Sequence, residues 1–67
     1  VNVKINGEDV KLHSSIATVH ELLTFYEFEK RVVIVEVNED ILQKDQHNQT
    51  ILKDGDHIEI VSFVGGG

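Results

Sequence analysis

The chain has no cysteine, few basic residues and no long apolar run, and each absence removes a class of function. Without cysteine there is no disulfide to staple the fold, no thiolate to hold a metal and no catalytic thiol. Hydrophobic packing must therefore carry the fold, in keeping with 40% apolar and 27% charged residues. The same lack fits a reducing compartment. A bilayer-spanning helix needs about 20 consecutive apolar residues, and neither such a run nor a basic-then-apolar leader is present. These features together predict a cytoplasmic protein with no membrane partner. Six Lys and Arg stand against twelve Asp and Glu, a net charge of -6. Nucleic-acid binders present a basic stripe, whereas the longest basic run here is Lys30-Arg31. That pair falls beside a predicted helix end, where positive charge complements the helix dipole. No nucleic-acid partner is expected; basic protein surfaces are.

Size is a further constraint. At 67 residues the chain is one small domain, and such a domain buries only about 60% of the surface its unfolded form exposes. A catalytic cavity of roughly 300 Å³ or more would compete for the same few apolar side chains. A carrier or binding module is expected rather than an enzyme.

What is present is a clear alternation of elements. Val1-Asn2-Val3-Lys4-Ile5 has the period of a half-buried strand, and Asn6-Gly7 supplies a hairpin turn. A second strand is predicted through Val10, Lys11, Leu12 and His13. Thr18 and Glu21 have capping-box spacing at the start of a helix whose buried stripe is Val19, Leu22, Leu23 and Tyr26. That helix is expected to end near Glu27, with Phe28 folding back over its end and Phe25 flanking the stripe, partly exposed. Val32 to Val37 reads as an internal β-branched strand, ended by Asn38-Glu39-Asp40. Ile41-Leu42 makes a short strand, residues 43 to 50 a polar surface connection, and Ile51-Leu52 a return to the core. After the turn Asp54-Gly55-Asp56, a last strand runs from Ile58 through Val64. This is an α+β order: one helix packed on one face of a four- to five-stranded sheet, with the other face open.

The sequence closes on Gly65-Gly66-Gly67. Glycine carries the largest ordering cost and no side chain, so a core has no use for such a run. A frayed end or a linker remnant is the plain explanation. The chemical one is a tail that threads a narrow channel and delivers the α-carboxylate of Gly67. With an ordinary pKa of about 3.3–3.7 that group is ionised and a poor electrophile. It must be activated, most simply by adenylation with ATP in a partner enzyme, before sulfide, persulfide or an amine can take it.

These segments carry a family resemblance. Asn6-Gly7, Thr18-Val19-His20-Glu21-Leu22-Leu23 and Val33-Ile34-Val35-Glu36-Val37-Asn38 contribute to it. So, most specifically, does Leu52-Lys53-Asp54-Gly55-Asp56-His57-Ile58-Glu59-Ile60-Val61, closed by Phe63-Val64-Gly65-Gly66-Gly67. The chain resembles the thiamin-pathway sulfur carrier proteins, the ThiS family of ubiquitin-like β-grasp proteins. The resemblance implies a β-grasp domain over residues 1–64, with the terminal strand central beside the first, and a flexible tail over 65–67. It implies that a ubiquitin-activating-type enzyme adenylates Gly67 with ATP and magnesium, and that this chain binds no cofactor of its own. Sulfur from a donor such as a cysteine desulfurase then makes a thiocarboxylate, which thiazole synthase consumes. Gly67 is the implied modified residue, and Gly65 and Gly66 give access. One departure is that the sequence begins at Val1 with no methionine.

Further residues bear on partners. If Ile58 and Ile60 meet the helix, Val61 and Phe63 lie on the open face near the tail. With Val64 they form a candidate docking patch, joined by Val32 and Ile34 if the registers match. His13, His20, His47 and His57 have no zinc spacing and are expected at the surface. Asp54 and Asp56 lack a calcium loop around them. Glu36, Glu39 and Asp40 form a solvated face able to meet basic residues of an activating enzyme. Alternatives that remain open are the small subunit of molybdopterin synthase, a ubiquitin-like protein modifier, and an interaction domain with inert glycines.

Overall fold

The computed structural model describes residues 1–28 and 30–63. The elements are β1 (Asn2–Ile5), β2 (Glu8–Lys11), α1 (Val19–Phe25), β3 (Val32–Val37), β4 (Asp40–Ile41) and β5 (His57–Phe63), with a 3₁₀ turn at Lys44–Gln46. The sheet order is β2-β1-β5-β3-β4. β5 lies in the centre, parallel to β1 and antiparallel to β3.

Local chemistry fixes the two hairpins. Asn6 and Gly7 both take positive φ, 49° and 85°, the geometry of a two-residue turn whose twist matches its strands. Ile5 consequently pairs with Glu8, so β2 starts two residues earlier than its apolar content suggests and ends at Lys11. The β3–β4 turn uses the same backbone with Asn38 and Glu39 at φ 52° and 72°. Asp40 is thus the first residue of β4, paired with Val37, rather than part of the break.

Both ends of α1 are closed by hydrogen bonds from neighbouring backbone and side chains. Thr18 and Glu21 form the capping box: Thr18 Oγ1 accepts from the Glu21 N–H at 3.1 Å, and Glu21 Oε1 accepts from the Thr18 N–H at 3.0 Å. The first two helical amides donate to the following loop, Val19 to Thr50 O and His20 to His47 O. At the other end the Phe28 N–H reaches Leu23 O at 2.8 Å and the Glu27 N–H reaches Thr24 O at 3.0 Å. This is the Schellman arrangement, with Glu27 at φ 63° where glycine is the usual residue. The helix therefore stops at Phe25, earlier than expected. Tyr26 becomes the cap and is exposed rather than part of the buried stripe. Phe25 is more exposed than a flanking residue, while Phe28 does fold back against the core.

The core lies between α1 and one sheet face. Val19, Leu22, Val35 and Ile58 are its fully buried side chains, supported by Val3, Leu12, Leu23, Val37 and Ile60. Truncating a buried Leu or Ile of this kind to alanine typically costs about 2–5 kcal/mol. Of the Ile51-Leu52 pair, only Leu52 is buried; Ile51 is exposed.

Candidate functional site

β5 brings the end of the sheet and the approach to the glycine tail together. Ile58 and Ile60 are buried under the helix, so His57, Glu59, Val61 and Phe63 face the other way. The antiparallel register sets Val32 opposite Phe63 and Ile34 opposite Val61. All four are exposed, 72% and 51% for the first pair and 42% and 52% for the second. Cross-strand pairing thus gathers four apolar side chains on the open face, at the end where β5 stops. The expected join of Val32 and Ile34 to Val61 and Phe63 is present. Val64, Gly65, Gly66 and Gly67 lie outside the described residues, as does the expected extension of the last strand to Val64.

The open face changes character along its length. Beyond Val61 and Ile34 the next rung pairs Glu59 with Glu36. Like charges directly opposite on neighbouring strands are mildly destabilising, so this rung is kept at a cost beside the apolar one. Further on, Lys4 pairs with Asp9, their side chains 3.7 Å apart.

β5 is anchored by polar side chains as well as by its ladder. Asp56 is buried; its Oδ2 accepts from the Lys53 N–H at 2.8 Å and its Oδ1 from Asn38 Nδ2 at 2.9 Å. Asn38 Oδ1 accepts from the His57 N–H at 3.0 Å. Asp54 Oδ1 accepts from the Asn2 N–H at 2.7 Å, and Gly55 turns the chain at φ 88°. These carboxylates hold a turn.

His13, His20 and His57 are exposed, but His47 is buried, contrary to the expectation for the polar 43–50 segment. Its carbonyl caps α1, and that hydrogen bond draws the residue under the helix start. Burial, then the neighbouring His20 and Lys44, pushes its imidazole below the usual histidine range, with Asp45 opposing. The Glu21 carboxyl is also held below its usual value, chiefly by the backbone N–H groups of Ala17 and Thr18. No group of three or more potential metal-ligating residues occurs among the described residues, and no helix among them is long and apolar enough to cross a membrane.

A mixed five-stranded sheet with β5 central and one helix across one face defines a ubiquitin-like β-grasp protein. The chain belongs to the ThiS family, whose model matches residues 2–67. It is 45% identical over 65 residues to the sulfur carrier protein ThiS of Bacillus subtilis, covering 97% of this chain and 98% of that one. It is 43% identical over 63 residues to part of a thiazole synthase from Paramagnetospirillum magneticum, covering 94% of this chain and 19% of the enzyme. The crystal structure of the thiamine biosynthesis protein ThiS from Geobacter metallireducens superposes with a TM-score of 0.82 at 32% identity, covering all of both chains.

Proposed function

We propose that this chain is a sulfur carrier of thiamin biosynthesis that holds sulfur as a thiocarboxylate on Gly67. It acts as a protein substrate and not as an enzyme. In the first step a carboxylate oxygen of Gly67 attacks the α-phosphorus of ATP in a partner enzyme, forming the acyl adenylate and releasing pyrophosphate. In the second, sulfide attacks the acyl carbon and AMP leaves. Where the donor is a persulfide, its attack gives an acyl disulfide, and a further thiol then cleaves the S–S bond, leaving the thiocarboxylate on Gly67 and a disulfide on the donor. ATP and magnesium belong to the ubiquitin-activating-type partner, and a cysteine desulfurase or equivalent donor supplies the sulfur. The division of labour is a β-grasp domain over residues 1–64 and a tail over 65–67, working in the cytoplasm.

The observation that carries this reading is the paired apolar rungs Val32–Phe63 and Ile34–Val61, exposed where β5 ends. They offer the adenylating enzyme a docking patch, to which we assign Val64 as the next residue in sequence, just before the glycine tail. Glu36 and Glu59 beside it suit a basic group on that enzyme. Thiazole synthase is the proposed acceptor, supported by the relative in which a stretch like this chain forms part of a thiazole synthase.

The test is the intact mass after incubation with ATP, the adenylating enzyme and a sulfur donor. A gain equal to the exchange of one oxygen for sulfur supports the carrier; a much heavier product marks conjugation instead. Deleting Gly67 is expected to abolish ATP–pyrophosphate exchange with the fold intact. Exchange that persists in the truncated chain would overturn Gly67 as the site.

A further inference from the structure

One cleft has a charge character opposite to that of the chain as a whole. It lies between α1, the start of β3 and the segment from Leu42 to Asn48, with a volume of about 330 Å³. Leu23, Phe28 and Leu42 form its apolar wall. His20, Arg31, Lys44 and His47 form the polar one. Two of the six Lys and Arg residues and two of the four histidines of a chain of net charge -6 thus meet here. None of the described lining residues is acidic.

Three observations point to an occupant. The only ion pair among the described residues is Lys4 with Asp9, so Arg31 and Lys44 have no carboxylate partner among those residues. The Arg31 guanidinium lies 5.8 Å from the centre of the Phe28 ring, which braces it at the wall as a stacked cation. Finally, His47 is only 8% exposed, and its Nε2 is buried with no hydrogen-bond partner. Buried polar atoms of this kind are rarely left unpaired.

We propose that this cleft binds a small organic anion, a phosphate or carboxylate on a short apolar body. Arg31 and Lys44 hold the charge, and the body packs on Leu23, Phe28 and Leu42. The volume favours a small molecule, since it sits at the lower end of ligand pockets, roughly 300–1,000 Å³. The cleft shares Val32 with the apolar rung at Phe63, and its test needs no partner enzyme.

The experiment follows amide chemical shifts of the isotopically labelled full chain at constant ionic strength. Phenyl phosphate is the probe, with inorganic phosphate and benzyl alcohol standing for its two halves. Saturating shifts clustered on His20, Arg31, Lys44 and His47 are expected, stronger for phenyl phosphate than for either half. The double variant Arg31→Gln/Lys44→Gln should bind at least about tenfold more weakly. Lys11→Gln/Lys53→Gln, with the same change of charge, should bind as the parent does. Shifts that fail to saturate, that spread equally around Lys4, Lys11 and Lys53, or that survive in the Arg31/Lys44 variant would overturn the site. Equal binding of inorganic and phenyl phosphate would overturn the organic ligand.

Discussion

The side-chain amide of Asn6 grips both backbone groups of Ile60. Its Oδ1 accepts from the Ile60 N–H at 2.8 Å and its Nδ2 donates to Ile60 O at 3.2 Å. β1 ends at Ile5, and its parallel pairing with β5 stops at Ile58. The Asn6 amide thus stands in for a missing strand residue and holds β5 on its β1 side, nearer to the apolar rungs proposed as a docking patch. Because Asn6 has positive φ, glycine is the fair replacement, as it keeps the backbone unstrained. Asn6→Gly should lose about 1–3 kcal/mol in urea unfolding, the cost of stranding groups in a partly buried place. Asn6→Asp keeps one acceptor, loses the donor, and should fall between the two. Unchanged hydrogen exchange at the Ile60 amide in Asn6→Gly would count against this role.

Glu27 sits in the left-handed region at φ 63° to close α1. A side chain there costs about 1–2 kcal/mol in the regular left-handed conformation, while glycine is free of that penalty. Glu27→Gly should therefore raise stability by up to about 1 kcal/mol, read as a higher midpoint in thermal unfolding. A drop would mean that the carboxylate makes an interaction outweighing the strain.

Two groups make stability depend on acid. The pKa of His47 is lowered in the fold, so its contribution is present above the ordinary histidine value. It is lost as pH falls from there through the folded value, because protonation favours the unfolded chain. Glu21 is also lowered, and its capping contribution is lost in the same direction but at more acid pH, below the ordinary carboxylate range. Thermal midpoints should decline in two stages as pH drops below about 6.5. His47→Leu should flatten the first stage and Glu21→Gln the second. A parent-like decline in His47→Leu would assign the first stage elsewhere.

Phe63 is half exposed, so Phe63→Ser should leave unfolding nearly unchanged while weakening use by the proposed adenylating enzyme. Aromatic anchors at interface centres contribute about 2 kcal/mol or more, equivalent to roughly a thirtyfold fall in kcat/KM for pyrophosphate exchange. Lys4→Ser, on the polar half of the same face, should change it little. Equal effects of the two would argue for loss of general surface character rather than a docking patch.

Signals confined to a few neighbouring residues were legible in the sequence. Asn6-Gly7 announced its turn, Thr18 and Glu21 their capping box, and the β-branched run from Val32 its strand. The alternation of Ile58 and Ile60 with Val61 and Phe63 correctly divided β5 between the two faces. The match of Val32 to Phe63 depends on register between strands far apart in sequence, which no local pattern sets. The early end of α1 was hidden because Glu27 occupies a position usually marked by glycine, and the true start of β4 because Glu39 does the same in its turn. His47 was misplaced for a different reason. Its neighbours are polar, and only the hydrogen bond from His20 to its carbonyl draws it inward.

A polypeptide end attached to an edge strand can be peeled away one rung at a time. Here the tail continues from a strand paired with β3 out to Phe63 and held on its other side by β1 as far as Ile58 and by the Asn6 amide at Ile60. Traction on the glycines by the proposed enzyme would load the β3 ladder first, over Val61 to Phe63, and the β1 side only from Ile60 inward. The body would stay whole while its extremity is hauled to the chemistry, and a strong grip on the tail need not come at the expense of the fold.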